Sequence, residues 1–245
     1  LPVNHEPYSA PQVDVLYSLI VGGESESGSS RRYHLLFAGT RQIARTFEWR
    51  EVLSALQEHV QRSIVALARD WLFVTGGVVG WHNRAIVLVG DSAAEPIAAL
   101  VQRGATYYSS QYAVFDRDGF LYPFHTQRPV RPEMDYDLDL TPYLAQPCPL
   151  PLGLMVVAAY QIQARWRPRH LTSAQALLAL VANAQSAASD PAHALSMLRS
   201  LTTEWKALRG NWTDTSTFSR SLLSRLPEIS DIPSRASDRL AQMML

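Results

Sequence analysis

The spacing of apolar residues divides the chain into stretches of distinct texture. Val13–Val21 and Tyr33–Phe37 are short β-type runs on either side of the polar segment Gly22–Ser30, which predicts a hairpin-like entry around a loop too polar to join a core. Over Trp49–Arg69, Val52, Leu53, Leu56, Val60, Ile64, Leu67 and Ala68 recur at helical spacing between charged positions, and this is the clearest helix in the sequence. From Trp71 the pattern turns to buried strand-like runs around a tight bend at Trp81–Arg84, where Asn83 suits the turn. Ala85–Val89 runs straight into Gly90-Asp91-Ser92. A short helix follows over Glu95–Arg103, with Pro96 in its first turn and Gly104 at its end. Thr106–Tyr108 and Tyr112–Phe115 read as strands, and Asp116–Gly119 as a hairpin turn into Phe120–Phe124.

Beyond this point Thr126–Pro151 is rich in proline (Pro129, Pro132, Pro142, Pro147, Pro149, Pro151) and reads as an extended surface loop. Leu152–Tyr160 is a further strand. The rest reads as helical over Thr172–Ser186, Pro191–Leu208 and Thr217–Leu226, with Thr172 or Ser173 and Asp190 placed to cap the first two. The expected organisation is one α/β domain over 1–226, sheet-rich across 13–160 and helical across 170–226, with 227–245 as a loosely attached tail. No internal repeat is evident.

Composition narrows the function. With 245 residues, 47% hydrophobic and 18% charged, the chain can bury a large core, which excludes disorder for most of it. The 22 basic residues balance 22 acidic ones, so no global field draws nucleic acid or an anionic membrane, and neither is expected as a partner. Lys206 is the only lysine; every other basic residue is arginine. The lone Cys148 excludes an internal disulfide and a cysteine-rich metal site, and reads as a small apolar residue in a reducing compartment. The apolar stretches Ala85–Val89 and Leu152–Ala159 fall short of the ~20 residues that span a bilayer. The start carries no basic segment followed by an apolar one, so a cytoplasmic protein is expected.

A buried strand, a Gly-containing turn and a helix form the scaffold of a phosphate-binding loop. Here the turn is Gly90-Asp91-Ser92-Ala93-Ala94, but Glu95-Pro96-Ile97 stands where that loop's Gly-Lys-Ser/Thr would come. Through Phe73–Ser92, Ala98–Phe124 and Leu152–Asn183 the chain resembles the HPr kinase/phosphorylase-like family, related in fold to phosphoenolpyruvate carboxykinase. The resemblance implies a P-loop-like mixed sheet with flanking helices and a C-terminal helical subdomain. It also implies a catalytic set, and each member departs. Thr75 stands ahead of Gly76-Gly77-Val78 in place of the family's histidine, the loop is shorter by about three residues, and the acidic pair falls on Ser110-Gln111.

Phosphoryl transfer depends on a loop lysine, a hydroxyl on Mg²⁺ and a carboxylate for the metal or nucleophile. This chain has none of them at those positions. Glu95 instead faces the phosphate position, a repulsion of ~1 to 4 kcal/mol at 4 Å. The expectation is therefore a degenerate, pseudokinase-type protein that holds a peptide or protein partner, with no cofactor and no ordinary binding of ATP and Mg²⁺. The alternative is an active enzyme reusing the cleft, either as an unconventional Ser/Thr kinase on a peptide or in nucleotide-independent peptide chemistry. A homo-oligomer is left open.

Each remaining candidate has two readings. Gly90–Ala94 is either a small anion nest or a turn kept for strand–helix packing, with Glu95 capping its own helix. Ser109, Ser110 and Gln111 are polar ligand readers or a solvated strand end. His82, in a turn, and His125, beside Thr126 and Arg128, are proton carriers or surface histidines. Arg165, Arg167 and Arg169 around Trp166, with Arg128 and Arg131 upstream, form a clamp for an acidic group or anchor the C-terminal helices. Trp81, Tyr107, Tyr108 and Tyr112 read as core or cleft wall. Asp135, Asp137 and Asp139 lack a calcium-loop pattern and read as a solvated edge, so no metal site is expected.

Overall fold

The computed structural model describes residues 12–23, 32–90, 93–124, 148–185, 191–199 and 205–225. By their contacts the described residues fall into two compact units, one within 12–68 and one within 69–225. Each is α/β in composition.

In the first unit β1 (Tyr17–Ile20), β2 (His34–Ala38) and β3 (Arg41–Thr46) form an antiparallel sheet in chain order, followed by α1 (Trp49–Leu67). The strand over Arg41–Thr46 is not expected from the sequence, because RQIART is too polar to stand out as a strand. It forms because Gly39, at φ 57°, turns the chain tightly enough to pair Ala38 with Arg41. Leu36 and Val52 are fully buried, and Tyr17 donates to or accepts from His59 Nδ1 (2.9 Å) and Ser63 Oγ (3.0 Å) on the helix.

The second unit is a mixed eight-stranded sheet with helices on both faces. Its elements are β4 (Leu72–Trp81), β5 (Arg84–Val89), α2 (Ala94–Val101), β6 (Thr106–Ser109), β7 (Tyr112–Phe115), β8 (Phe120–Tyr122), β9 (Leu150–Tyr160), β10 (Arg169–His170), α3 (Ser173–Asn183), α4 (Pro191–Arg199), β11 (Lys206–Trp212) and α5 (Thr215–Ser224). The strand order is β10-β11-β9-β5-β4-β7-β8, with β6 also on β4. β5, β9 and β11 are mutually parallel, and the other pairings are antiparallel.

The continuous apolar runs follow from burial on both faces. Along β5, Ala85, Val87 and Val89 enter a core with Ala176, Leu180 and Met197 of α3 and α4. Ile86 and Leu88 enter the opposite core with Ile97 and Leu100 of α2 and Phe218 and Leu222 of α5. β4 and β5 are joined by His82 and Asn83, both at positive φ (46° and 58°), the backbone a two-residue hairpin requires.

One expected helix is corrected. The apolar spacing from Pro191 predicts a helix to Leu208, but α4 spans Pro191–Arg199 and Lys206–Trp212 is a strand between β9 and β10. Ala207 and Leu208 are each buried against a different core, an alternation that a helix stripe cannot provide. Lys206 therefore stands on a strand and not among helices, and the region 170–226 is mixed. Leu150 and Pro151, expected in the loop, begin β9; residues 126–147 lie outside the described set.

Gly77 lets α2 approach the sheet: a Cβ there would lie 2.4 Å from Ile97 Cγ1 and 3.2 Å from Ala93 Cβ. Gly77→Ala is expected to destabilise the protein by about 1–3 kcal/mol through overpacking. Combined with Ile97→Ala, it should cost less than the sum of the single changes by at least about 0.5 kcal/mol, measured by urea denaturation.

Candidate functional site

Among the expected site residues, Thr75, Gly90 and Gln111 are brought together. β5 ends at Gly90, whose φ of 115° favours glycine and whose N–H donates to the Thr75 carbonyl at 3.1 Å. On β4, Gly76 N–H donates to the Gln111 carbonyl at 2.9 Å. The Thr75 hydroxyl accepts from Gln185 Nε2 at 2.7 Å, so the position aligned with a histidine in the resemblance is tied to the end of α3. Gln185 is a member that sequence reasoning missed, because nothing local links it to Thr75.

At the β6–β7 turn, Ser109 departs from both of its readings. Ser109 is fully buried and its Oγ accepts from the Gln111 and Tyr112 N–H groups, at 3.3 and 3.2 Å. It shapes the turn, as short hydroxyl side chains do, and is neither solvated nor presented to a ligand. Ser110 Oγ accepts from the Tyr107 hydroxyl at 3.1 Å.

At the start of α2, Ala93 is buried, Ala94 half-buried, and no side chain caps the helix. Glu95 is exposed in the first turn, where a carboxylate complements the helix dipole. It makes no capping hydrogen bond to its own helix; instead the Thr215 hydroxyl donates to Glu95 Oε1, joining α2 to the first residue of α5. Beside it Asp214 caps α5 by accepting from Thr217 N–H at 2.7 Å, and hydrogen bonding to Thr217 holds its carboxyl below the usual range. The starts of α2 and α5 thus each carry a carboxylate, and the Thr215 hydroxyl ties the two helices together. Asp91 and Ser92 lie outside the described residues, as do His125 and Arg128.

Trp81 and His82 are not part of this group. They sit at the far end of β4, six residues beyond Thr75 and so ~20 Å away in an extended strand. There the two rings stack at 4.7 Å, and the buried Trp81 Nε1 has no hydrogen-bond partner among the described residues.

Arg165 and Arg167 are placed differently again, in the connection that leaves the C-terminal end of β9. Gln161 N–H donates to the Trp212 carbonyl at 2.9 Å, and Ala164 N–H closes a turn on the Gln161 carbonyl at 3.1 Å with Gln163 at φ 62°. Trp166 then fastens the connection. Its ring lies over Gly210, where a Cβ would come 2.7 Å from Trp166 Cζ3; it meets Phe218 edge-on at 4.6 Å, and its Nε1 donates to Ser221 Oγ at 3.2 Å.

With Trp166 as anchor, the arginines line an open cleft of about 480 Å³. Its walls include Gln161, Arg165, Arg167, Arg169, Arg209 and Asn211, and no acidic residue among the described ones. Arg169 and Arg209 are directly paired across β10 and β11. Like charges in that position oppose folding by roughly 0.2–1 kcal/mol. The described ion pairs are Glu58–Arg62 and Asp70–Arg117, so none of the four arginines has a carboxylate partner among the described residues. Arg209 escapes a sequence reading that continues a helix to Leu208; the alternation of Ala207, Arg209 and Asn211 against Leu208 and Trp212 is the signal that finds it.

Among the described residues no three His, Cys, Asp or Glu side chains converge as metal ligands, and no helix is long and apolar enough to cross a membrane. Compared with protein-family models, with curated proteins and with solved structures, the chain matches none.

Tyr108 provides a test of the packing beneath the β6 end. Its hydroxyl donates to the Cys148 carbonyl at 2.9 Å, and burial, with a smaller contribution from the Cys148 charge, pushes its pKa up to about 12. A group whose folded pKa is raised keeps its full contribution below the unfolded value near 10 and loses it as pH climbs to about 12. Tyrosinate absorbance should contain a late-titrating component that is reduced in Tyr108→Phe. The wild-type stability curve should fall more steeply between pH 10 and 12 than that of the variant.

Proposed function

We propose that the chain is a degenerate HPr-kinase-like protein that binds a peptide or protein partner and does not transfer phosphate from ATP and Mg²⁺. The observation that carries this reading is the pair of carboxylates, Glu95 and Asp214, at the starts of α2 and α5. A phosphate loop needs positive potential and free N–H donors at that end of the helix. Here the Gly90 N–H is used by Thr75, the Thr75 hydroxyl by Gln185, and Glu95 by Thr215. The only lysine, Lys206, is on a strand two positions across the sheet from β5. The resemblance over Phe73–Ser92, Ala98–Phe124 and Leu152–Asn183 supports the family assignment, and the described architecture, a mixed sheet covered by helices, is compatible with it.

The partner is proposed as a peptide or a protein because the family-like scaffold, without its transfer groups, retains the capacity to hold an acceptor. The experiment is a transfer assay with γ-labelled ATP and Mg²⁺ on the full chain, with and without material that copurifies from its own cells. The expected result is no label on protein or peptide above the enzyme-free control, together with recovery of a peptide or protein near one-to-one by native mass spectrometry. Label transfer that Ser110→Ala or Thr75→Ala reduces tenfold or more would overturn the proposal in favour of an active kinase.

A further inference from the structure

We propose that the cleft lined by Arg165, Arg167, Arg169 and Arg209 is a receptor for a doubly charged phosphoryl group. The inference does not rest on the kinase-like reading, since none of these residues belongs to the β5–α2 turn or to the helix starts beside it.

The argument begins with charge. Four arginines line one open space whose described walls hold no carboxylate, in a chain whose acidic and basic residues are equal in number. A surface distributed for solubility alternates the two signs; this one gathers a single sign. Arg169 and Arg209 are opposed in register, an arrangement that a bound anion turns from repulsive to attractive.

Edge protection is the competing explanation. β10 is the outer strand of the sheet, and charges and proline on an edge prevent strand addition. Pro168 already serves that purpose. Leu171 N–H donates inward to Ala207, so by alternation Arg169 also faces β11 and residue 168 faces outward, where proline has no N–H to offer. Arg209 lies on the inner strand β11, where edge protection requires nothing. Its presence in the cleft is what edge protection leaves unexplained.

The donor set selects the ligand. A carboxylate balances one guanidinium, whereas a phosphate monoester carries close to two charges and three acceptor oxygens, which suits bidentate contact with more than one arginine. The absence of lysine from the walls fits planar fork recognition. Asn211, held by its hydrogen bond to Gln161 Oε1, and Gln163 at the turn add amide groups to the same walls. The space exceeds what a lone phosphoryl group fills, so part of its carrier enters as well. The wall is fastened independently of the ligand, through Trp166 on Gly210 and Ser221, so the arginines are carried on a fixed base.

The test is calorimetric titration of the full chain, at physiological salt, with inorganic phosphate, pyrophosphate and a phosphoserine peptide. Succinate, the unphosphorylated peptide and a single-stranded oligonucleotide serve as comparisons. The expected result is saturable binding of at least one phosphoryl probe, at least tenfold tighter than succinate, and weakened tenfold or more in Arg209→Gln and in Arg167→Gln. Arg62→Gln, which alters an exposed pair on α1, should leave it unchanged. A phosphopeptide preferred over pyrophosphate assigns the group to a modified partner, and the reverse order assigns it to a free small molecule. Ligand-free Arg209→Gln should melt no lower than the wild type, because it removes a like-charge opposition; this separates lost binding from lost folding. No saturable phosphoryl binding at millimolar concentration, equal binding by Arg209→Gln, succinate binding as tightly, or an oligonucleotide binding more tightly than every phosphoryl probe would each overturn the proposal.

Discussion

Double-sided burial of the central parallel strands is the constraint on which the larger unit depends. β5 and β9 lie between other strands and place alternate side chains in two separate cores, so neither face can be left to water. Two helices are needed on each side, and the connections that bring them there are thrown past the ends of the strands. The β5–α2 turn and the β9–β10 connection both leave from the carboxyl ends of parallel strands, the usual place for ligands in such sheets. Both candidate sites are therefore consequences of the same packing requirement, although their chemistry is opposite: acidic residues start the helices beside one, and arginines line the other.

The sequence was most readable where a single physical signal dominated. Trp49–Arg69 as a helix, the bend at Trp81–Arg84, the strand through Ala85–Val89 and the Thr172 cap each follow from local spacing or turn chemistry, and the structure has α1, the His82-Asn83 turn, β5 and the capping box of Thr172 with Gln175 there. Reading failed where tertiary pairing overrode local pattern. RQIART becomes a strand because Gly39 folds it against β2, and Lys206–Trp212 becomes a strand because it is inserted between β9 and β10. The first is a local hairpin hidden by the polarity of its second strand, and the second pairs with strands that no window of residues contains together.

The sites divide along the same line. The turn at Gly90 and the acidic start of α2 are visible in Gly90–Glu95 alone, and so is the arginine run around Trp166. What the sequence hides is company. Glu95 meets Thr215, Thr75 meets Gln185, and Arg169 meets Arg209, each across a long separation along the chain. Trp166 is where the neighbourhood is most plainly structural: the ring anchors the connection on Gly210 and α5, and the flanking arginines line a cleft.

The arginine cleft also changes what neutrality means for this molecule. Equal totals of 22 and 22 describe a chain with no net charge, yet removing four arginines to one place leaves 18 basic residues against 22 acidic ones elsewhere, a remainder of −4. The protein is thus neutral in total and positive at one place. Beyond a Debye length of ~8 Å at physiological salt a monopole would be screened and this one is absent in any case, but at short range an approaching anion meets a field that depends on orientation. Capture is then governed by how the molecule turns as a partner arrives, and less by any attraction felt from afar.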